Sequence, residues 1–172
     1  MLRTLILKRL DAEERKLGGS LDYMRQIVRT SLPAFFKFGL FMPFAAHRRA
    51  LPVDACNVAR LVGSLSADCG TCVQIGVNMA LAEGVNAAIV RAVVERRPED
   101  LPRELAEVYR FAWGVAEASG AEEGLRDALR ARWGDAGLIE IGYALASARV
   151  FPTVKRAMGF ATSCALVKIR VP

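Results

Sequence analysis

Histidine is nearly absent from this sequence, which contains only His47. A Ser-His-Asp or Cys-His arrangement for nucleophilic catalysis would have to use that residue. His47 lies on a different segment from every cysteine, and we interpret it as structural or exposed rather than catalytic. The sequence therefore disfavours triad-type catalysis.

The sequence also lacks an apolar run long enough to cross a membrane. The best candidate, residues 31–46 (SLPAFFKFGLFMPFAA), is shorter than the span of about 20 residues that a bilayer needs and contains Pro33, Lys37 and Pro43. We expect a core or interface helix there. Charged residues at and after Lys8 interrupt the N-terminus, which argues against a signal peptide. We expect a cytoplasmic protein with no membrane partner.

Aromatic residues are sparse, at 8% of the chain, whereas hydrophobic residues make up 53%. The apolar residues are mainly Ala, Leu and Val, which suit close-packed helices or a subunit interface. The net charge of +6 is spread along the chain in short groups without interleaved aromatic residues. This pattern indicates a solvated basic surface, and no nucleic-acid partner is predicted.

Helical periodicity dominates the remaining pattern, and the sequence predicts an all-α, single-domain helical bundle. The length of 172 residues fits one domain. We divide it into an N-terminal arm (1–19), a core (about 20–160) and a C-terminal tail (161–172), where alternating apolar residues indicate a short extended segment. The predicted helices lie within residues 21–31, 52–65, 69–84, 86–97, 105–119, 125–133, 135–148 and 152–159.

The feature with chemical content is the pair Cys69-Gly70-Thr71-Cys72, which holds two of the four cysteines. Its spacing on the first turn of a helix brings both sulfurs to one face, where they can form a disulfide. Asp68 is predicted to cap that helix. A helix N-terminus lowers the pKa of a nearby thiol and raises its reactive fraction, most strongly for Cys69. Spacing leaves open which cysteine attacks first.

Metal binding is the main chemical alternative for the cysteine pair. A zinc site would need two further ligands from Cys56, Cys164 or His47, but the sequence has no second tight pair. We therefore predict no metal and no cofactor, and we interpret Cys56 and Cys164 as small buried hydrophobic residues. Thioredoxin-like chemistry would require a neighbouring β-α-β pattern, which the helical periodicity does not provide.

Residues 57–84 (NVARLVGSLSADCGTCVQIGVNMALAEG) resemble the core motif of the alkylhydroperoxidase D and carboxymuconolactone decarboxylase family. In that motif, a helix carrying glutamate leads through a loop to Cys-x-x-Cys, then to a histidine one turn later, then to glycine. The resemblance extends over roughly residues 20–160. It implies an all-α fold, a homo-oligomer such as a trimer or hexamer, and an antioxidant peroxidase that uses a redox-active disulfide and a thiol reductant protein.

The sequence departs from the family at the residues that relay protons. Asn57 occupies the position of the glutamate, and Gly76 occupies the position of the histidine. Such general acid-base help is typically worth about 10²–10⁴-fold in rate, so the resemblance implies a weak or specialised enzyme. The predicted catalytic residues are Cys69 and Cys72, and the candidate supporting residues are Asn57, Thr71 and Gln74.

Three functions are consistent with these residues. The favoured one is a thiol oxidoreductase that acts on a small peroxide or another small substrate. The second is an inactive binding or structural oligomer, and the third is a non-redox lyase of the decarboxylase branch, which lacks its expected histidine base. Glu83 or Glu140 would change this interpretation if folding brought either beside Cys72.

Overall fold

Apolar residues recur three or four positions apart along this chain, and glycines and prolines separate the segments. The computed structural model describes residues 1–67, 69–160 and 170–171, and within those ranges it contains helices and loops without strands. The all-α prediction is therefore confirmed for the described part of the chain. The helices are α1 (Leu2–Leu17), α2 (Asp22–Thr30), α3 (Leu32–Gly39), α4 (Phe41–Ala45), α5 (Val53–Ser66), α6 (Gly70–Ala82), α7 (Ala87–Val94), α8 (Arg103–Glu117) and α9 (Glu123–Ala157), with a 3-10 turn at Pro98–Asp100.

Helix α9 contains the predicted interruption between Trp133 and Asp135. Gly134 has φ 67° and ψ −176°, a conformation that glycine adopts readily and other residues avoid. The two helical segments therefore meet at a break. Pro152, predicted as a kink or a new helix start, instead lies inside the second segment, which continues to Ala157.

The main core forms around α5, which packs against α6, α7, α8 and α9. Its Val58, Leu61 and Val62 are almost completely buried. Burial of each such side chain stabilises the fold by about 1.5–3 kcal/mol. Gly63 allows close contact with α9, because a Cβ atom there would lie 2.5 Å from the carbonyl oxygen of Leu145.

Helices α1 to α3, which we call the N-terminal cover, form a second and smaller apolar cluster. Leu10, Tyr23 and Val28 are buried within it, and Val154 and Met158 from the end of α9 pack against it. The predicted N-terminal arm is thus helix α1, and it packs with α2 and the end of α9.

The run at residues 31–46 forms α3 and α4 rather than one helix. Phe38 and Phe44 contact α9 through Phe151 and Tyr143. Apolar side chains on the outer side remain exposed, including Leu40 at 75%. In the described part of the chain, no helix combines the length and apolar character that crossing a membrane requires.

Candidate functional site

Cys69 and Cys72 meet at the N-terminus of α6, as their spacing predicts. Cys69 precedes the helix with an extended backbone (φ −128°, ψ 90°), and Cys72 lies in the first turn. Their Sγ atoms are 3.0 Å apart, beyond the S–S bond length of about 2.05 Å. The structure therefore holds a dithiol whose sulfurs are already close. Asp68, the predicted helix cap, lies outside the described residues.

The dithiol is largely shielded from solvent, since Cys69 is 1% exposed and Cys72 is 9% exposed. The turn between α1 and α2 lies directly over this part of α6. A Cβ atom on Gly19 would lie 3.2 Å from Cγ2 of Thr71 and 2.7 Å from Cγ1 of Ile75. The N-terminal cover therefore lies on the helix that carries the dithiol, and Thr71 is part of that contact.

Tyr23 of α2 is 5% exposed and belongs to the N-terminal cover, whose α1–α2 turn contacts Thr71. Burial, and then the charge that Cys72 and Cys69 carry as thiolates, raises the pKa of Tyr23 above its usual range. The phenol therefore stays protonated at physiological pH and can donate a hydrogen bond.

The end of α9 brings two cationic side chains to the same region. Lys155 is 5% exposed, and its Nζ lies 5.7 Å from the centre of the Tyr23 ring. Nη2 of Arg156 donates to the carbonyl oxygen of Ala67 at 3.0 Å, on the loop that leads to Cys69. Cationic side chains and a helix N-terminus both favour a thiolate. Sequence reasoning missed Tyr23, Lys155 and Arg156, because no local pattern connects them to the cysteines.

Asn57 lies away from the dithiol, near the opposite end of α6. Its Nδ2 donates to Oε2 of Glu83 at 2.9 Å, and its Oδ1 accepts from Arg60 at 3.0 Å. A helix rises about 1.5 Å per residue, which separates Glu83 from Cys72 by about 16 Å along α6. The structure therefore does not bring Asn57 or Glu83 to the sulfurs.

The side chains of Gln74 and Asn78 tie other segments to α6. Gln74 accepts from the backbone N–H of Arg170 at 2.8 Å and donates to the carbonyl oxygen of Arg170 at 3.1 Å. Asn78 donates to the carbonyl oxygen of Leu17 at 2.8 Å. These contacts give both amides a structural role. The predicted extended tail lies outside the described residues except for Arg170 and Val171.

Core packing closes the position where the family motif has histidine. A Cβ atom on Gly76 would lie 3.2 Å from Cδ2 of Leu61, which is 1% exposed. A histidine side chain would need the space that α5 occupies. The family's proton relay is therefore missing from the sequence and has no room in this packing.

Glu140 and His47 belong to a different contact. Glu140 is 2% exposed and accepts hydrogen bonds from the consecutive backbone N–H groups of Arg49, Ala50 and Leu51 at 2.7–3.0 Å. Nε2 of His47 lies 3.8 Å from Oε1 of Glu140. This carboxylate anchors the loop between α4 and α5 to α9, so Glu140 does not serve the dithiol.

Metal chemistry gains no support from the geometry. In residues 1–67, 69–160 and 170–171, no three His, Cys, Asp or Glu side chains form a group suited to a metal ion. Cys56 is 1% exposed, and burial raises the pKa of its thiol above the usual range. It behaves as the predicted small buried residue, while Cys164 lies outside the described residues.

Comparison with known proteins identifies no relative. The sequence matches no protein-family model and no curated protein, and the fold matches no solved structure. The functional interpretation therefore depends on the chemistry of the site itself.

Proposed function

We propose that this protein is a thiol-dependent oxidoreductase that cycles Cys69 and Cys72 between dithiol and disulfide. The observation that supports this most directly is the 3.0 Å approach of the two sulfurs at the N-terminus of α6. The cysteine motif resembles that of alkylhydroperoxidase D, and we propose the same scaffold type here.

The reaction with a peroxide is a two-electron transfer. One thiolate attacks an oxygen of the peroxide, the O–O bond breaks, and the products are an alcohol or water and a cysteine sulfenic acid. The second thiol then displaces water from the sulfenic acid and forms the S–S bond. A thiol reductant protein restores the dithiol by exchange through a mixed disulfide and becomes oxidised itself.

We propose a slow or specialised enzyme, because the site differs from an open peroxidase centre in two ways. The relay position at Gly76 is packed against Leu61, and the sulfurs are largely buried on a helix against which the N-terminal cover lies. We propose that a substrate reaches the sulfurs only after local displacement of the surrounding chain. A small peroxide or another small substrate fits this restriction better than a bulky one.

The test is to count thiols after the reduced protein has been treated with a mild excess of hydrogen peroxide. The wild type is expected to lose two thiols together and to regain both with a dithiol reductant. The Cys69→Ser variant should show no paired loss. Unchanged thiol content in the wild type would contradict the proposal.

The same treatment identifies the attacking cysteine. In the Cys69→Ser and Cys72→Ser variants, the remaining thiol of the pair has no resolving partner, so a sulfenic acid persists and reacts with dimedone. The variant that is labelled retains the attacking residue. The Cys69→Ser, Cys72→Ser double variant is the control for labelling elsewhere.

A binding protein on the same scaffold is the second candidate. An open pocket of about 430 Å³ lies beside α8 and is lined partly by Arg96, Tyr109, Arg110 and Trp113. Arginine and aromatic side chains suit a small ligand that has an anionic group and a flat apolar part. Thermal stabilisation by benzoate that persists in the double cysteine variant would favour this function.

The decarboxylase alternative gains no support, since His47 lies beside Glu140.

We also propose a homo-oligomer. Exposed apolar residues on α3, α4 and α9 share one region of the surface, since Phe44 of α4 contacts Tyr143 of α9 with ring centres 4.2 Å apart. Large exposed apolar surfaces commonly mark protein contacts. The exposed residues are Phe36, Leu40, Met42, Ile139 and Tyr143.

A further inference from the structure

Lys155 is a buried cation whose charge the fold must balance. It lies in the second segment of α9 and is 5% exposed, next in the chain to Val154, which packs against the N-terminal cover. Removing an ammonium group from water is strongly unfavourable unless an opposite charge or a set of acceptors replaces the water. The position of Lys155 therefore requires a partner.

Other largely buried charged groups in the described chain have such partners. Arg25 contacts three carboxylates, Arg60 pairs with Glu83, and Glu140 accepts from backbone N–H groups. Lys155 differs, because no carboxylate of the described residues lies within 4.0 Å of its Nζ. Its recorded contact is the face of the Tyr23 ring, at 5.7 Å. A cation–π contact accounts for only part of the required compensation.

Tyr23 links this cation to the dithiol. Its side chain is 5% exposed, and the turn four residues before it lies against the cysteine pair, since a Cβ atom on Gly19 would be 3.2 Å from Cγ2 of Thr71. The hydrogen bond from Arg156 to the carbonyl oxygen of Ala67 holds the end of α9 against the loop before Cys69. Helices α2, α6 and α9 thus bring a phenol, a dithiol and an ammonium group into one largely buried region.

We propose that Lys155 is the counter-ion of the thiolate formed by the Cys69–Cys72 pair, acting within this buried region rather than by direct contact, and that the Tyr23 phenol is a neutral polar neighbour that supports the thiolate. This counter-ion role rests on the proposed function. It makes Lys155 and Tyr23 the groups that act on the sulfurs in the absence of the glutamate and histidine of the motif. Lys155 stabilises the charged form of the attacking sulfur, and Tyr23 supplies a proton-bearing group that stays neutral. Both act as positioning and electrostatic residues.

A consequence concerns the redox equilibrium. The reduced pair can carry the negative charge that Lys155 balances, whereas the disulfide carries none. Stabilisation of the thiolate therefore favours the reduced form and makes the disulfide a stronger oxidant. Removal of the ammonium group should shift the equilibrium with glutathione toward the disulfide.

The test compares how the rate of iodoacetamide alkylation depends on pH in the full-length protein. A Cys56→Ala, Cys164→Ala background leaves the dithiol as the only source of signal. Lys155→Met removes the charge and keeps a side chain of similar length, whereas Lys155→Arg keeps the charge. Tyr23→Phe removes the hydroxyl group and keeps the ring. Lys37→Met removes an exposed charge from the N-terminal cover and is the matched control.

In Lys155→Met, we expect the midpoint of the alkylation profile to move to higher pH and the rate at neutral pH to fall about tenfold. Lys155→Arg should restore the wild-type midpoint, and Tyr23→Phe should move it in the same direction as Lys155→Met by a smaller amount. Lys37→Met should match the wild type. We compare the midpoints of the pH profiles, because looser packing of the N-terminal cover changes the plateau rate of alkylation and leaves the midpoint unchanged.

The outcomes separate this inference from the proposed function. A Lys155→Met midpoint equal to that of the wild type, in a protein that still forms the disulfide with peroxide, overturns the counter-ion and leaves the oxidoreductase intact. A shifted midpoint without any peroxide-driven disulfide supports the counter-ion and contradicts the oxidoreductase. If Lys155→Met does not fold, an unchanged midpoint in Tyr23→Phe together with a midpoint moved to higher pH in Lys155→Arg overturns the inference.

Discussion

Glu140 shows how one residue secures a long-range contact. Its carboxylate is 2% exposed and accepts from the backbone N–H groups of three successive residues, Arg49 to Leu51. Burial alone would raise the pKa of Glu140, but these donors and the nearby His47 bring it below its usual range. The residue therefore stabilises the fold only while it is ionised.

The Glu140→Gln variant should be less stable by about 3 kcal/mol, because an amide NH₂ faces N–H donors and the charged acceptor is lost. The pKa is lower in the folded state than the unfolded value of 4.5. This contribution is thus fully present above that pH and is lost as the pH falls through the folded pKa. Urea unfolding at neutral and acidic pH measures both effects. Glu123→Gln, on the exposed start of α9, is the control, and equal losses in the two variants would contradict the prediction.

Gly76 determines whether the missing histidine can simply be restored. The Gly76→His variant should not gain peroxidase activity and should unfold at a lower temperature, since even its Cβ meets Leu61 at 3.2 Å. Overpacking of this kind typically costs about 1–3 kcal/mol. Gly142→Ala is the matched control, because nothing lies within 4 Å of a Cβ there. It should stabilise α9 slightly. A stable and more active Gly76→His protein would show that α5 yields at this position.

The N-terminal cover is the element that lies against the helix carrying the dithiol. Arg25 of α2 joins α1 through Asp11 at 2.7 Å and Glu14 at 2.6 Å. Glu14 also accepts from the backbone N–H of Leu21 at 2.7 Å, which fixes the turn that lies over α6. We therefore expect the packing of α1 against α2 to influence how often the sulfurs become exposed.

Arg25→Met should loosen this packing and raise the plateau rate of iodoacetamide alkylation several-fold, while the midpoint of the pH profile stays unchanged. Arg29→Met removes an exposed arginine from the same helix and should behave like the wild type. Alkylation of the two variants in parallel at high pH is the measurement. A plateau in Arg25→Met equal to that in Arg29→Met would mean that substrates reach the dithiol by another route.

At the scale of the whole molecule, the exposed apolar region on α3, α4 and α9 bears on assembly. Leu40 is 75% exposed, and Ile139, on the α9 face that α4 contacts, is 51% exposed. The Leu40→Glu variant should shift the sedimentation profile toward the monomer, because a charge at an apolar contact costs desolvation energy. Leu2→Glu, on the exposed start of α1, is the control. Identical profiles for Leu40→Glu and the wild type would place any subunit contact elsewhere.

Features that depend on neighbours along the chain could be predicted from the sequence. Periodic apolar residues predicted the helices, the separate helices expected at residues 125–133 and 135–148 anticipated the break in α9, and the spacing of Cys69 and Cys72 predicted both sulfurs on one face. These predictions succeed because helix geometry relates residues that are three or four positions apart.

The surroundings of the dithiol follow from tertiary packing and could not be predicted from the sequence. The end of α9 and the N-terminal cover bring Lys155 and Tyr23 together, 5.7 Å apart, whereas Asn57 lies at the far end of α6 and Leu61 fills the space beside Gly76. No local pattern encodes these relations, since they arise from the contact of helices that are distant in the sequence. The fold class was therefore predictable from the sequence, and the electrostatic surroundings of the cysteines were not.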